Sequence, residues 1–530
     1  MADTYDVIIC GAGSGGGFLA GEIAAHGSVL ILDAGPSTVG TPSPGKGSPE
    51  SRRFSTQINL GQFIPDGVYS INTGSTFFAY RSYMDESSPG SFGFSREARV
   101  VGGGSHINAG AWVRPRSVDW PDFEAETGVK GWTKEAFEPH FLKAETILHV
   151  HRDLRENWNK ASLLYEETAL SLGIPMFETA SNRYNCIFCG QRLNAGMPCK
   201  YDALMSTAIT QIPKAVAAGA TLVDNATVLR VETSGTKATG VTYRRGDDVI
   251  TANASKLVVL AAGAYGTPLI MFDSGMNLVN SNVGKYLRAH PAINMMAVMP
   301  DDGWGADRGY QWNAHHYVMG SDGEPMDVIV HPSANLGSVT PWIASQVGFI
   351  GPEYKNLARK YQSMIGALLF QLKPSVVGRV LGSVQAPVIR FPLVDKNGLL
   401  EPKVRADFLA GVRQVGGVFA RMGALMTFPN PNQPDNVLDT ELVLRATAPG
   451  IPHPQGTCRA GADRATSVVD SNLMSHDYAN LMCCDASVIP KDISSNPNAM
   501  IMAIASRASD FVIREILGKR APENETGGGE

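Results

Sequence analysis

The sequence predicts an α/β chain, α+β overall, in which a Rossmann-like nucleotide-binding domain opens the fold and a second domain is inserted into it. Three observations carry that expectation. A short apolar run ends in a cluster of glycines that opens a helical stretch, a second glycine cluster follows near residue 102, and a later apolar strand closes on Ala-Ala-Gly at residues 261–263.

Residues 6–10 (DVIIC) lead at once into residues 11–17 (GAGSGGG), then an apolar helical stretch at 18–25, then a strand at 29–32 that ends at Asp33. Strand, glycine turn, helix, strand and acid are the parts of a dinucleotide-binding βαβ unit. Gly11 makes the turn, Gly13 lets a pyrophosphate approach the backbone, and Gly16 lets the helix pack close to the sheet. The helix N-terminus offers free N–H groups and the positive end of a dipole to phosphate. Asp33 is placed to accept from ribose hydroxyls.

Residues 35–53 are rich in Gly, Pro and Ser and read as a surface loop or a lid over a ligand. Residues 99–112 (RVVGGGSHINAGAW) form the second cluster, from which Ser105 and Asn108 can hydrogen-bond a ligand. Helices are expected at 134–148 and 157–172, and strands at 221–232 and 257–262. From about residue 290 to 445 the glycine signatures thin out, as expected of a second domain. There residues 310–317 (YQWNAHHY) alternate like a strand, either as a wall of aromatic rings or as half-buried structure. Met295, Met296 and Met299 point to an apolar cavity nearby, although methionine is also a routine core filler.

Composition removes other classes. Hydrophobic residues are 44% and charged residues 18% of 530, which excludes disorder for the bulk of the chain. A formal charge of −5, with no basic stripe, argues against a nucleic-acid partner. No apolar run reaches the roughly 18 residues of a membrane span; the longest, 364–381, is broken by Lys373, Pro374 and Arg379. The polar start and the odd number of cysteines, seven, predict a cytoplasmic protein with mostly reduced thiols. Cys186, Cys189 and Cys199 lie close together without an adjacent histidine, short of a zinc set. Unmetallated thiols or a local disulfide are expected there, with an iron–sulfur cluster or zinc as the other readings.

In five separated blocks, residues 11–17, 99–112, 257–275, 282–291 (NVGKYLRAHP) and 453–507, the chain resembles the glucose–methanol–choline (GMC) flavoprotein oxidoreductases. The resemblance implies bound FAD in a discontinuous domain of residues 1–150, 205–290 and 450–515. It implies a substrate-binding domain of residues 151–204 and 291–449, built on an antiparallel sheet with helices, and a disordered tail at 516–530. By position, Gly11, Gly13, Ser14 and Gly16 would meet the pyrophosphate, Asp33 the adenosine ribose and Val228 the adenine side. Gly102, Gly103, Ser105 and Asn108 would surround the flavin, Asp485 and Ala486 would lie at its ribityl and ring end, and Asn496 and Pro497 would also touch the cofactor. Some family members attach FAD through a histidine of the second loop that directly precedes the asparagine. Here Ile107 separates His106 from Asn108, so non-covalent FAD is expected.

The same resemblance makes His453 and Asn496 the catalytic pair, and implies oxidation of an alcohol or sugar at CH–OH, with dioxygen or another acceptor taking the electrons. Chemically the pair is apt. An imidazole can take a hydroxyl proton near neutral pH, and an amide can hold the oxygen without competing for that proton. The family also contains hydroxynitrile lyases, photodecarboxylases, for which Cys458 and Arg459 are relevant, and catalytic subunits of iron–sulfur/haem-linked sugar dehydrogenases. His290, in Ala-His-Pro, reads as structural.

Overall fold

The computed structural model describes residues 3–37, 77–83, 92–186, 199, 202–304, 312–334, 351–352, 355–356, 363–394, 400–428 and 452–519. Two sheets organise it. In the first, five parallel strands run in the order Thr221–Val223, Val29–Leu32, Thr4–Cys10, Asp248–Leu260 and Leu481–Cys483. Thr4–Cys10 and Val29–Leu32 have an almost wholly buried inner half, as expected of strands covered on both faces. Asp248–Leu260 does double duty. Its last residues pair in parallel with Thr4–Cys10, and its first residues carry an antiparallel extension through Lys237–Arg245 to Ala226–Ser234. The helices Ser14–Ile23 and Asn498–Phe511 pack against each other beside this sheet.

The second sheet is antiparallel throughout, in the order Met426–Phe428, Ala292–Val298, Met364–Gln371, Pro325–Ala334, Ala314–Met319 and Phe177–Glu178. One face is covered by the helix Pro402–Arg421 and by Lys160–Ser171, which together bury Tyr165, Val404, Phe408, Val415 and Phe419. The other face turns towards the parallel sheet. A four-stranded sheet joins Phe77–Tyr83 and Phe92–Ala98 to Arg379–Gly382 and Pro387–Arg390, so it spans both sides of the expected domain division.

Local expectations mostly match in kind and differ at the ends. The expected helices appear as Lys134–Ile147, capped by the Thr133 hydroxyl, and Lys160–Ser171, which starts late because Asn159 accepts from the Ser162 N–H as its cap. The expected strand at 221–232 is two strands, Thr221–Val223 and Ala226–Ser234. Asn225 between them adopts φ 51°, a left-handed conformation that no continuous strand accommodates. Residues 516–519, expected to belong to a disordered tail, are ordered into the fold: the last helix runs on through a π turn, Val512–Ile516, and Leu517 is buried in the core. Met295 and Met299 pack fully buried beneath Pro402–Arg421, while Met296 packs with Val298 and Met364. Among the described residues no helix is long and apolar enough to cross a membrane.

Candidate active site

The two glycine clusters meet. Gly11 adopts φ 111°, and a Cβ there would drive into the carbonyl oxygen of Ala261 at the end of the neighbouring strand. Gly15 and Gly16 are equally tight, against the carbonyls of Cys484 and Gly11. These glycines therefore let the helix Ser14–Ile23 sit on the sheet. Gly103, at φ 51°, would place a Cβ 2.6 Å from Gly13 Cα, so the second cluster lies directly on the first. The Gly102 N–H donates to Ala12 O at 2.9 Å, and Thr207 donates to the carbonyl of Gly13 at 3.2 Å. The helix Ser14–Ile23 opens with no side-chain cap and no acid in its first turn, which leaves its N–H groups for an anion. Ser14 donates to Asn498 Oδ1 at 2.8 Å, bringing the start of the closing helix, preceded by Pro497, to the same place.

Several of the expected ligand-contact residues also brace this cradle. Asp33 is buried and accepts from the N–H groups of Ala12 and Gly35, both at 2.8 Å; burial pushes its carboxyl up to about 6. Its backbone anchors the start of Ala226–Ser234, where the Val228 side chain packs in the core. Ser105 donates to Gly102 O at 2.6 Å, and Asn108 accepts from the Gly110 N–H at 2.9 Å. Asp485 accepts from the Gly263 and Ser487 N–H groups and from the Thr267 hydroxyl, tying the strand end at 481–483 to the helix Gly263–Asp273. The Ala486 carbonyl accepts from the Gly456 N–H at 3.1 Å and so holds the loop that carries His453. His106 is buried with Nδ1 2.8 Å from Ser206 Oγ.

Opposite the cradle stands the inner face of the antiparallel sheet. Strand alternation puts His315 and Tyr317 on this face and His316 on the other, where Tyr165 donates to its Nε2 at 2.9 Å and its Nδ1 donates to the Tyr317 carbonyl. His331, from Pro325–Ala334, stacks on Trp312 with ring centroids 5.0 Å apart and lies 5.8 Å from His315. Phe370, from Met364–Gln371, packs 4.9 Å from the His453 ring. Tyr310 and Gln311 of the expected aromatic stretch lie outside the described residues.

His453 enters between the two faces. It is held at φ 62°, half-buried, and desolvation alone brings its pKa down to about 4. Its Nδ1 lies 3.0 Å from Nδ1 of His290, a residue read from the sequence as structural. Burial also holds His316 down to about 4 and His315 and His331 down to about 3, so these imidazoles are uncharged at neutral pH. Asn496 stands beside His331 and raises its pKa against the burial, although neither Asn496 Oδ1 nor either nitrogen of His331 completes a hydrogen bond of normal geometry. The loop bearing Asn496 is pinned by Tyr317, which donates to Ser494 O at 3.1 Å, and by Asp119, which accepts from the Ser494 N–H and hydroxyl. Asn498, by contrast, faces Ser14.

Trp312 Nε1, both nitrogens of His331, Ser495 Oγ, Asn496 Oδ1 and Asn498 Nδ2 are all buried without a hydrogen-bond partner. Such atoms are costly unless a ligand meets them. Together with a glycine cradle under open helix N-termini, they fit a large cofactor that carries phosphates at one end and a reactive polar ring at the other. Cys458 and Arg459 do not join the site. The thiol packs on Met271 Sδ, and the guanidinium binds Glu126 and covers the Tyr286 ring. Of the three clustered cysteines, Cys189 lies outside the described residues, and the described residues hold no His/Cys/Asp/Glu group suited to a metal.

His331 and Phe370 were missed by sequence reasoning. Histidine in the apolar run Val328-Ile-Val-His331 was an available signal; nothing local marked Phe370.

Comparison with known proteins gives a consistent answer. Models of the N- and C-terminal parts of the GMC oxidoreductases match residues 7–292 and 378–505. The 5-(hydroxymethyl)furfural oxidase of Methylovorus sp. is 23% identical, over 97% of this chain and 100% of its own. An alcohol dehydrogenase [acceptor] of Pseudomonas putida is 26% identical, over 97% and 96%. Among solved structures, pyridoxine 4-oxidase from Mesorbium loti superposes with a TM-score of 0.68 at 19% identity, covering 95% of this chain and 98% of that one.

Proposed function

The chain belongs to the GMC oxidoreductase family and is an FAD-dependent enzyme, and we propose that it oxidises an uncharged alcohol bearing a planar ring to the aldehyde or ketone. The observation that carries this reading is the meeting of His453, His331 and Asn496 at the junction of the two sheets, with unpartnered polar atoms enclosed among aromatic rings.

The residues that would hold FAD are the glycines at 11–16 and 102–103, the N–H groups at Ser14, and the loop at 485–498. The chemistry FAD supplies when bound is hydride acceptance, with dioxygen or another acceptor taking the electrons onward. His453 accepts the hydroxyl proton. Its burial keeps it neutral, so a lone pair is available well into the acid range. Asn496 holds the substrate oxygen, which orients the carbon-bound hydrogen that leaves as hydride. Trp312, His331 and Phe370 offer uncharged rings, and the Arg116 guanidinium over the Tyr317 ring opposes a cation such as choline, which together favour an aryl or furyl alcohol. The odd number of cysteines favours a cytoplasmic setting.

Anaerobic mixing with benzyl alcohol, 5-(hydroxymethyl)furfural, glucose and choline tests the reading by flavin bleaching. The two ring-bearing alcohols should bleach fastest, and His453→Ala should slow them about 100-fold or more with FAD still bound. Bleaching by none of the four would remove the oxidation reading, and equally fast bleaching in His453→Ala would remove the base.

A further inference from the structure

The imidazoles of His453 and His290 meet Nδ1 to Nδ1 at 3.0 Å, with their rings nearly perpendicular at 81°. His290 is fully buried and His453 half-buried, and desolvation holds both imidazoles neutral. A neutral imidazole carries one hydrogen, so in this pair one Nδ1 donates and the other accepts, and the accepting ring carries its hydrogen on Nε2. Behind His290 stands Gln455, its amide 3.2 Å from His290 Nε2. Gln455 is fully buried, and its Oε1 has no partner when the amide nitrogen points at the ring. A half-turn of the amide exchanges the two ends.

Two hydrogen patterns satisfy these contacts. In one, the Gln455 N–H donates to His290 Nε2, His290 Nδ1 donates to His453 Nδ1, and the His453 hydrogen stays on Nε2. In the other, His290 Nε2 donates to Gln455 Oε1, His453 Nδ1 donates to His290 Nδ1, and His453 Nε2 is left with a lone pair. The second pattern alone gives His453 a nitrogen that can take a hydroxyl proton, and it gives Gln455 Oε1 the hydrogen it lacks.

We propose that His290, backed by Gln455, is the positioning residue that fixes His453 as the Nδ1–H tautomer and leaves Nε2 free as the base. This rests on the reading of His453 as the base in alcohol oxidation. When Nε2 takes the proton from the hydroxyl oxygen, the O–H bond breaks and an N–H bond forms, and the imidazolium keeps its Nδ1–H on a neutral buried acceptor. His290 itself touches neither the substrate oxygen nor the leaving hydrogen. A catalytic imidazole held in the wrong tautomer loses orders of magnitude in rate.

The test uses the FAD-loaded enzyme labelled with 15N-histidine, whose long-range 1H–15N spectra show which ring nitrogen carries hydrogen, with the His453 signals assigned by their loss in His453→Ala. His453 should carry hydrogen on Nδ1 in the unsubstituted enzyme. His290→Leu should move it to Nε2 and slow flavin reduction by benzyl alcohol roughly 100- to 10,000-fold. His290→Asn, whose carbonyl oxygen still accepts from His453, should recover most of the rate. Hydrogen on His453 Nε2 in the unsubstituted enzyme would overturn the proposal, as would equal rates in the leucine and asparagine variants. Gln455→Glu, an acceptor, and Gln455→Met, which lacks one, give the same contrast if His290→Leu does not fold. If benzyl alcohol fails to bleach the unsubstituted enzyme, the oxidation reading fails, while the tautomer spectra still decide the role of His290.

Discussion

The parallel sheet and the antiparallel sheet face the same site with opposite materials. The parallel side presents bare backbone: Gly11, Gly15, Gly16, Gly102 and Gly103 sit where side chains have no room, and the nearby polar side chains, Asp33, Ser105 and Asp485, are occupied in holding that backbone in shape. The antiparallel side presents side chains: His315, Tyr317, His331 and Phe370 come from three strands, and both nitrogens of His331 are left without hydrogen bonds. A cofactor that never changes can be gripped by backbone, which few substitutions can alter. A substrate is selected by side chains, and these can be exchanged without disturbing the ladder that carries them.

The sharpest way to break this division is to put a side chain on the backbone side. Gly11→Val combines a φ of 111° with a Cβ driven into the Ala261 carbonyl, a penalty of about 3 kcal/mol or more. The variant should purify with little or no yellow colour, read as the ratio of absorbance at the flavin band to that of the protein. Full flavin content would mean that the glycine turn is not what grips the cofactor.

Acid should separate the two sides next. The four histidines at 315, 316, 331 and 453 have folded pKa values lowered to about 3 or 4, whereas the unfolded chain binds protons near 6.5. The unfolded state therefore holds more protons between those values, and stability falls as pH drops from about 6.5 towards 4 and is complete above that window. For each such histidine, every tenfold difference in proton affinity between the folded and unfolded chain is worth about 1.4 kcal/mol. Melting temperature should drop steeply from pH 7 to pH 5, with hydrogen exchange rising first in the strands Ala314–Met319 and Pro325–Ala334. A flat melting temperature across that range would contradict the neutral imidazoles.

The smallest effect should come from the tie between the two sides. Tyr317→Phe leaves the Ser494 carbonyl without its donor, at a cost of about 1 kcal/mol, which for a chain of this size is roughly 1 °C in melting temperature. Flavin content should stay constant while reduction by an alcohol slows several-fold, because the loop carrying Asn496 loosens. Loss of flavin ahead of loss of rate would show that this tie serves the cofactor instead.

The same division explains what could be read from the sequence. The turn at 11–16, the strand Val29–Leu32 and the helix Lys134–Ile147 are written in consecutive residues, so local pattern suffices. The antiparallel face is not. Period-two alternation tells that His315 and His316 point to opposite sides, but only the packing of Pro402–Arg421 decides which side is the core. The roles of Asp33 and Asp485 as braces were equally hidden, because their partners, Ala12 and Gly263, lie 21 and 222 residues away. His290 looked structural for the same reason: its neighbour at 3.0 Å is 163 residues along the chain.

The hydrogen bond between Ser14 and Asn498 joins residues 484 positions apart, and it has a consequence for biosynthesis. A ribosome adding roughly 5–20 residues per second needs on the order of a minute between the two. Throughout that interval the first glycine turn is outside the tunnel and lacks the segment that completes the cradle. Flavin capture is therefore a post-translational event, governed by closure of one of the longest loops the chain can form. Yield of yellow protein should thus be limited by the lifetime of this half-built nascent state.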